Sequence, residues 1–142
     1  MPNKERSSMS ILYVEDNPAD ADLLRQALEI RGQPFSVAVL NDGQAALDFI
    51  RSTPPLPDVV VMDLHLPLVD GLTVLKTLKA DDRWHSVPVL VFVDPCAPNA
   101  RIAKSLGADL CLAKPMDWIA WPELIKTIRE LSTHETALHA AG

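Results

Sequence analysis

The sequence predicts an α/β protein in which five parallel strands alternate with five helices. Short apolar runs rich in β-branched residues recur along the chain, and stretches with helical spacing of apolar side chains separate them. The clearest run, Val-Val-Val-Met at residues 59–62, is typical of a strand buried on both faces. The 142 residues are enough for one domain with a core of ordinary size. We therefore expect a single doubly wound domain.

The first half of the chain is predicted to contain two strands and two helices. Asn17 is expected to cap the first helix and Pro18 to occupy its first position, because the proline lacks an N–H that would be unpaired there. Alternating apolar residues predict the second strand, and the Asn-Asp-Gly turn after it precedes the second helix. The expected elements are a strand at 11–14, a helix from Pro18 up to Gly32, a strand at 35–39 and a helix around 46–50.

The second half continues the alternation after the central strand. Leucines at helical spacing predict the third helix, and a polar loop containing Trp84 follows it. Pro95 and Pro98 delay the fourth helix, and Gly107 suits its C-terminal cap. The start of the last helix stays open, because Asp117 could begin it before Pro122. The expected elements are helices at 72–78, 99–106 and 122–133, and strands at 59–62, 87–93 and 110–113.

Charged residues stand where three of the predicted strands end. The common order of five such strands, 2-1-3-4-5, is the flavodoxin-like arrangement and places the first and third strands side by side. Glu15 and Asp16 follow the first strand, and Asp63 ends the third. Lys114 ends the fifth strand at the same edge of the sheet. The sequence therefore predicts three carboxylates and one ammonium where open α/β sheets bind their ligands.

This group of charges favours phosphoryl chemistry with a divalent cation. Carboxylates repel one another unless a cation offsets them, and Mg²⁺ takes carboxylate and carbonyl oxygens, for which the backbone carbonyl of His65 is well placed. Asp63 could then attack phosphorus and form an acyl phosphate while Lys114 neutralises charge. The alternatives from the residues alone are that Asp63 only caps a turn and that Lys114 is solvated or forms a simple salt bridge.

Four segments together resemble response-regulator receiver domains. They are Tyr13-Val14-Glu15-Asp16-Asn17, Val61-Met62-Asp63-Leu64-His65-Leu66-Pro67, Asp70-Gly71 and Ala113-Lys114-Pro115. The resemblance covers residues 10–131. It implies that Asp63 is the phosphoacceptor, that Asp16, Asp63 and the His65 carbonyl bind Mg²⁺, and that Glu15 holds metal-bound waters. Lys114 would contact the phosphoryl group, before a cis peptide at Pro115.

The resemblance also implies partners and a domain layout. The phosphodonor would be a phosphohistidine on a sensor histidine kinase, and the opening at residues 17–20 resembles receivers paired with bacterial phytochromes. The chain would be a single-domain regulator that signals through protein contacts with an unidentified partner and is not an enzyme in its own right. Residues 1–9 are expected to be disordered, 10–133 to form the receiver domain, and 134–142 to be a flexible tail.

Two residues depart from the pattern of this family. The family carries Thr or Ser at the end of the fourth strand, where its hydroxyl binds the phosphoryl group, and this chain has Val93. The family carries Tyr or Phe three residues before the lysine, where this chain has Cys111. Both members of the usual switch pair are therefore missing. This favours an alternative function, a pseudo-receiver that acts as an interaction module without phosphorylation.

Composition and missing motifs argue against several other functions. The sequence has no signal peptide core and no apolar run of membrane-spanning length, so a cytoplasmic location is expected. A net charge of −6 without a basic stripe argues against nucleic-acid binding. A metal-dependent phosphohydrolase would need a further acid or base, and a nucleotide-binding protein of this fold would need a glycine-rich phosphate loop; neither is found.

Assembly is the last expectation from the sequence. Three tryptophans, Trp84, Trp118 and Trp121, either form a partner surface or cover the edge of the core. We expect a homodimer that uses the side of the molecule from the fourth strand to the fifth helix.

Overall fold

A computed structural model describes residues 8–133 of the chain. Five strands alternate with five helices, as the sequence predicts, and a short 3₁₀ turn precedes the last helix. The strands are β1 (Met9–Val14), β2 (Phe35–Leu40), β3 (Val59–Asp63), β4 (Val89–Phe92) and β5 (Leu110–Leu112). The helices are α1 (Pro18–Ile30), α2 (Gly43–Arg51), α3 (Gly71–Ala80), α4 (Pro98–Ser105) and α5 (Trp121–Ser132).

The strands form one parallel sheet in the order β2-β1-β3-β4-β5, which confirms the predicted flavodoxin-like fold. The register pairs Val14 with Met62 between β1 and β3, and Met62 with Val91 between β3 and β4. The carboxyl ends of β1, β3 and β4 therefore finish at the same edge. This edge is the one on which the sequence places the charged residues.

Alternate side chains of the central strands enter two separate cores. Val59 and Val61 belong to the core that α1 and α5 cover, while Val60 and Met62 belong to the core that α2, α3 and α4 cover. Because β3 is buried on both faces, it has no solvated side and reads as an uninterrupted apolar run. The same two-residue alternation places Tyr13 of β1 in the α1–α5 core.

Several boundaries differ from the predicted ones for local reasons. β1 begins at Met9, whose N–H donates to the carbonyl of Pro34, so the strand is two residues longer at its start than expected. β4 ends at Phe92, so Val93 lies just outside the strand, although its N–H still donates to the carbonyl of Leu112. The chain turns into the β4–α4 loop at that point.

The helix ends show which capping predictions hold. Asn17 caps α1, since its side chain accepts from the N–H of Ala19 at 2.9 Å. Asp117 caps the 3₁₀ turn Trp118–Ala120, which leads directly into α5. Asp94 could cap the fourth helix by its position in the sequence, but the residue before α4 is Ala97, and Asp94 accepts from the N–H of Cys96 in the preceding loop.

The three tryptophans have different environments. Trp84 is fully buried and meets the ring of Phe49 edge to face, and Trp121 is buried against Phe92. Trp118 is largely exposed. Two of them therefore cover the core, and one remains available to a partner.

The described residues do not include either predicted terminal segment in full. Of the predicted disordered segment 1–9, residues 1–7 lie outside the described part of the chain, as does the predicted flexible tail at 134–142. Met9, at the end of the first segment, is a buried residue of β1. Within residues 8–133, none of the helices has both the length and the apolar character needed to cross a membrane.

Candidate functional site

Three carboxylates meet at the carboxyl ends of β1 and β3. Glu15 and Asp16 follow β1 directly, and Asp63 is the last residue of β3. One oxygen from each side chain lies within 4.8 Å of the other two. The predicted juxtaposition is therefore present, and it arises because neighbouring parallel strands end at one edge of the sheet.

Glu15 is the buried member of this group. Its carboxylate is 1% exposed, accepts from the hydroxyl of Tyr13 at 3.1 Å and accepts from the N–H of Asn17 at 3.1 Å. Burial raises the pKa of Glu15 above its usual value, and the ammonium of Lys114 and the N–H of Asn17 oppose that rise. Asp16 is exposed and Asp63 partly exposed, so the group opens toward solvent.

Lys114 neutralises the group from the end of β5. Its Nζ atom lies 2.7 Å from Oε1 of Glu15 and 2.9 Å from Oδ2 of Asp63. The ammonium also lies 5.8 Å from the centre of the Phe92 ring. Burial acts to lower the pKa of Lys114, but the hydrogen bonds to the carboxylates outweigh it and raise the pKa. Lys114 is therefore a permanent cation in an ion-pair network, and the alternative of a solvated lysine is wrong.

A fourth carboxylate, Asp20, belongs to the site and is absent from the sequence prediction. Its Oδ2 atom accepts from Nζ of Lys114 at 2.9 Å. Asp20 lies in the first turn of α1, where an acidic residue is favoured by the helix dipole. The available signal was its place in the first turn of the predicted helix, close in sequence to Glu15 and Asp16.

Asp63 uses its two oxygens differently. Oδ2 accepts from Lys114, and Oδ1 accepts from the backbone N–H of His65 at 3.0 Å. Asp63 thus caps the turn after β3 and also belongs to the charged group. His65 is exposed, and it contacts Asp63 through its backbone N–H.

The loop after β3 is held close to the site by Asp70 and Gly71. Asp70 caps α3 through the N–H of Thr73 at 3.0 Å. Gly71 donates its N–H to the carbonyl of Leu64, and a Cβ at this position would lie 2.6 Å from that oxygen. A side chain would therefore push α3 away from the end of β3, and only glycine allows this approach.

The peptide bond before Pro115 is trans, so the predicted cis peptide is wrong. No cis peptide bond occurs among residues 8–133. A trans bond is the ordinary preference of a prolyl peptide. In this structure Lys114 reaches Asp63 and Glu15 with the trans bond in place.

Of the two switch positions, Cys111 lies in β5 as predicted, and Val93 lies one residue beyond the end of β4. Val93 is 7% exposed, packs in the α2–α4 core and offers only methyl groups. Cys111 pairs with Val91 across β4 and β5, and its thiol lies 3.8 Å from the carbonyl of Ala100. Burial raises the pKa of the Cys111 thiol, and the charge of Lys104 opposes this.

The donor set fits a hard cation. Glu15, Asp16 and Asp63 supply only oxygen atoms, which are the ligands of Mg²⁺ and Mn²⁺. Although Glu15 is buried, Asp16 is exposed, so a dissolved cation can reach the group from solvent. The arrangement can therefore bind a divalent cation and present a carboxylate oxygen to an incoming electrophile.

Comparison with known proteins gives one consistent match. Residues 11–129 match the family described as the response regulator receiver domain. The probable methanogenesis regulatory protein FilR2 of Methanothrix harundinacea is 36% identical over 129 residues, which cover 87% of this chain and 81% of FilR2. The chain also matches MprA response regulators, of which it spans about half the length.

Three solved structures share the fold over most of the chain. The phosphorylated cyanobacterial phytochrome response regulator RcpA has 28% identity and a TM-score of 0.78, covering 87% of this chain and 92% of RcpA. The Mn²⁺-bound form of the response regulator Rcp1 has 26% identity and a TM-score of 0.75, covering 86% and 92%. The bacteriophytochrome response regulator AtBRR has 36% identity and a TM-score of 0.66, covering 84% and 91%.

Proposed function

Since this chain belongs to the response-regulator receiver family of two-component signalling, we propose that it accepts a phosphoryl group on Asp63 and signals through protein contacts. The observation that carries this proposal is the placement of Asp63. Its carboxylate lies at a strand end, partly exposed, with Oδ2 2.9 Å from the ammonium of Lys114.

The chain's own residues define the transfer step. A carboxylate oxygen of Asp63 attacks the phosphorus of a phosphohistidine, the P–N bond breaks, and the imidazole leaves. The ammonium of Lys114 neutralises charge on the phosphoryl oxygens as they approach. The N–H of His65 already holds the second oxygen of Asp63, which fixes the orientation of the nucleophile.

A divalent cation belongs to this proposal. Glu15, Asp16 and Asp63, with the backbone carbonyl of His65, would hold Mg²⁺, directly or through its waters. When bound, the cation supplies further positive charge to the phosphoryl oxygens. The structure of Rcp1 is that of a Mn²⁺-bound form, which supports the binding of a divalent cation by this chain as well.

A sensor histidine kinase is the proposed phosphodonor. RcpA and AtBRR are phytochrome-associated by name, which supports a bacterial phytochrome as the kinase. Large apolar side chains also remain exposed near the site: Leu68 follows Asp63 by one loop, and Met116 and Trp118 follow Lys114. Exposed apolar residues in the loops beside a charged group are typical of a protein-docking surface.

A second candidate function is that of a pseudo-receiver that acts without phosphorylation. Val93 and Cys111 favour it, because neither supplies the hydroxyl or the aromatic ring that a switch would use. The intact group of Glu15, Asp16, Asp63 and Lys114 favours the phosphoacceptor.

We also propose a homodimer through the side from β4 to α5. Light scattering at high protein concentration tests it, and a monomer mass with and without phosphodonor contradicts it.

Intact-protein mass after incubation with acetyl phosphate and Mg²⁺ tests the main proposal. Wild type should gain one phosphoryl group that is lost on mild alkaline treatment. Asp63→Asn should gain none, because an amide is a poor nucleophile. Asp82→Asn, an exposed carboxylate in the α3–β4 loop, is the matched control and should label like wild type. No labelling of wild type by acetyl phosphate or by a kinase would favour the pseudo-receiver.

A further inference from the structure

Both cysteines of the chain line one cavity beside the β4–α4 loop. The cavity has a volume of about 600 Å³ and lies between the first turn of α4 and β5. Cys96 and Cys111 contribute to its walls together with the cationic side chains of Arg101 and Lys104. The proposed phosphoryl chemistry at Asp63 uses none of these four residues.

Both cysteines lie beside the start of α4. Cys111 is a half-buried residue of β5, and its Sγ atom lies 3.8 Å from the carbonyl oxygen of Ala100, in the first turn of the helix. Cys96 is exposed and lies two residues before Pro98, where α4 begins. A residue of the edge strand and a residue of the loop therefore line the same cavity.

The loop that carries Cys96 is held by local hydrogen bonds. The N–H of Cys96 donates to the side chain of Asp94, and the N–H of Ala97 donates to the carbonyl of Asp94, each at 2.9 Å. The helix after it starts without a side-chain cap. Movement of Cys96 toward Cys111 therefore requires a change within the loop and leaves the sheet intact.

We propose that Cys96 and Cys111 are a reversible redox pair whose oxidant is a hydroperoxide. The sulfur of Cys96 attacks the terminal oxygen of the hydroperoxide, the O–O bond breaks, and water or an alcohol leaves. Cys96 becomes a sulfenic acid. The sulfur of Cys111 then attacks the sulfur of Cys96, the S–O bond breaks, and water leaves with the proton of the Cys111 thiol. The two thiols supply the two electrons that reduce the peroxide.

Exposure decides the order of the two steps. Cys96 is open to solvent and is reached first by a dissolved oxidant. Cys111 is half-buried, and burial raises the pKa of its thiol, which suits a residue that reacts second. Lys104 lies near enough to oppose that rise, so its ammonium stabilises the thiolate of Cys111 during closure. The disulfide would fix the β4–α4 loop against β5.

Thiol counting and mass spectrometry on the reduced full-length chain test the pair. After equimolar hydrogen peroxide, wild type should lose the mass of two hydrogen atoms and both alkylatable thiols, at a rate independent of protein concentration. A thiol reductant should restore both. Non-reducing digestion should yield one peptide pair that joins Cys96 to Cys111. Cys111→Ser should accumulate a sulfenic acid at Cys96 that dimedone traps.

Other results would overturn the pair. Sulfinic acid at Cys96 with Cys111 still alkylatable would mean that Cys111 does not resolve the first product. Disulfides only between two chains would mean that the cavity does not bring the thiols together.

The role of Lys104 has its own test. Lys104→Gln should slow disulfide closure, while Lys76→Gln, which replaces an exposed lysine of α3, should leave the rate of closure unchanged. Equal rates in both variants would overturn the role of Lys104. Labelling of Asp63 is a separate readout, so either proposal can fail alone.

Discussion

The ammonium of Lys114 lies 2.7 Å from Oε1 of Glu15, a carboxylate that is almost completely buried. The same nitrogen donates to Asp20 and Asp63, so a single cation just after β5 offsets three carboxylates, which lie just after β1, in α1 and at the end of β3. Without it, like charges would face one another in a partly buried site. A divalent cation bound by the same carboxylates would share this neutralisation.

Replacing Lys114 should therefore destabilise the protein in a way that a metal can offset. Lys114→Met should lower the free energy of unfolding by about 1–3 kcal/mol in the presence of EDTA, since it removes charge-assisted hydrogen bonds. Millimolar Mg²⁺ should restore part of that loss. Urea unfolding measures both values, with Lys76→Met as the exposed control. Equal stability of the two variants in EDTA would mean that the network contributes nothing.

Mg²⁺ should stabilise the wild-type fold by mass action. The unfolded chain lacks the site, so a concentration of about 100 times the dissociation constant adds about 2.7 kcal/mol. Asp16→Asn should weaken the rise in melting temperature, because the amide gives up the charge of one ligand. Calorimetric scans with and without Mg²⁺ provide the measurement. An undiminished rise in the variant would show that Asp16 is not a ligand.

The raised pKa of Glu15 predicts how stability varies with pH in EDTA. In the folded protein this carboxyl holds its proton above the usual value of 4.5, so the native state binds more protons than the unfolded state in that range. The contribution of Glu15 is therefore fully present below pH 4.5 and is lost as the pH rises through the folded pKa. Glu15→Gln should remove this term. Chemical denaturation across that range should show a flatter profile for the variant, and an identical profile would contradict the assignment.

Phosphorylation should move the β4–α4 loop less than it would with a hydroxyl at position 93. Val93 lacks a donor for a phosphoryl oxygen, and one hydrogen bond to a charged acceptor contributes about 1.5–3 kcal/mol. Val93→Thr should enlarge the change on phosphorylation, most clearly together with Cys111→Tyr. Amide chemical shifts with and without a phosphoryl mimic report it. Large shifts across α4 and β5 in wild type would mean that another residue acts as the switch.

The fold and most of the site follow from short-range rules that the sequence displays. The uninterrupted apolar runs of β3 and β4 predict strands that are buried on both faces, and the common strand order brings Glu15, Asp63 and Lys114 to one edge of the sheet. Asp20 escaped prediction because its approach depends on the rotation of α1, which only packing sets. Trp84 lies in a polar segment, so its burial against Phe49 depends on a tertiary contact.

Other differences between the prediction and the structure arise where two local conformations have nearly equal free energy. The peptide bond before Pro115 could adopt either isomer at a cost of about 1 kcal/mol, so sequence alone does not decide between them. Asp94 could cap either the loop or the helix, and Pro95 and Pro98, which both follow it, favour the loop. Such choices depend on the surrounding structure rather than on the residue itself.

Locating the phosphoryl group within the chain tests the central claim most directly. The phosphorylated protein is reduced with borohydride, which converts an acyl phosphate to an alcohol, and is then digested and sequenced by mass spectrometry. The account predicts that the reduced residue is Asp63 and that Asp16 and Asp20 stay unmodified. A modified residue at any other position, or a phosphoryl group on the ring of His65, would contradict it.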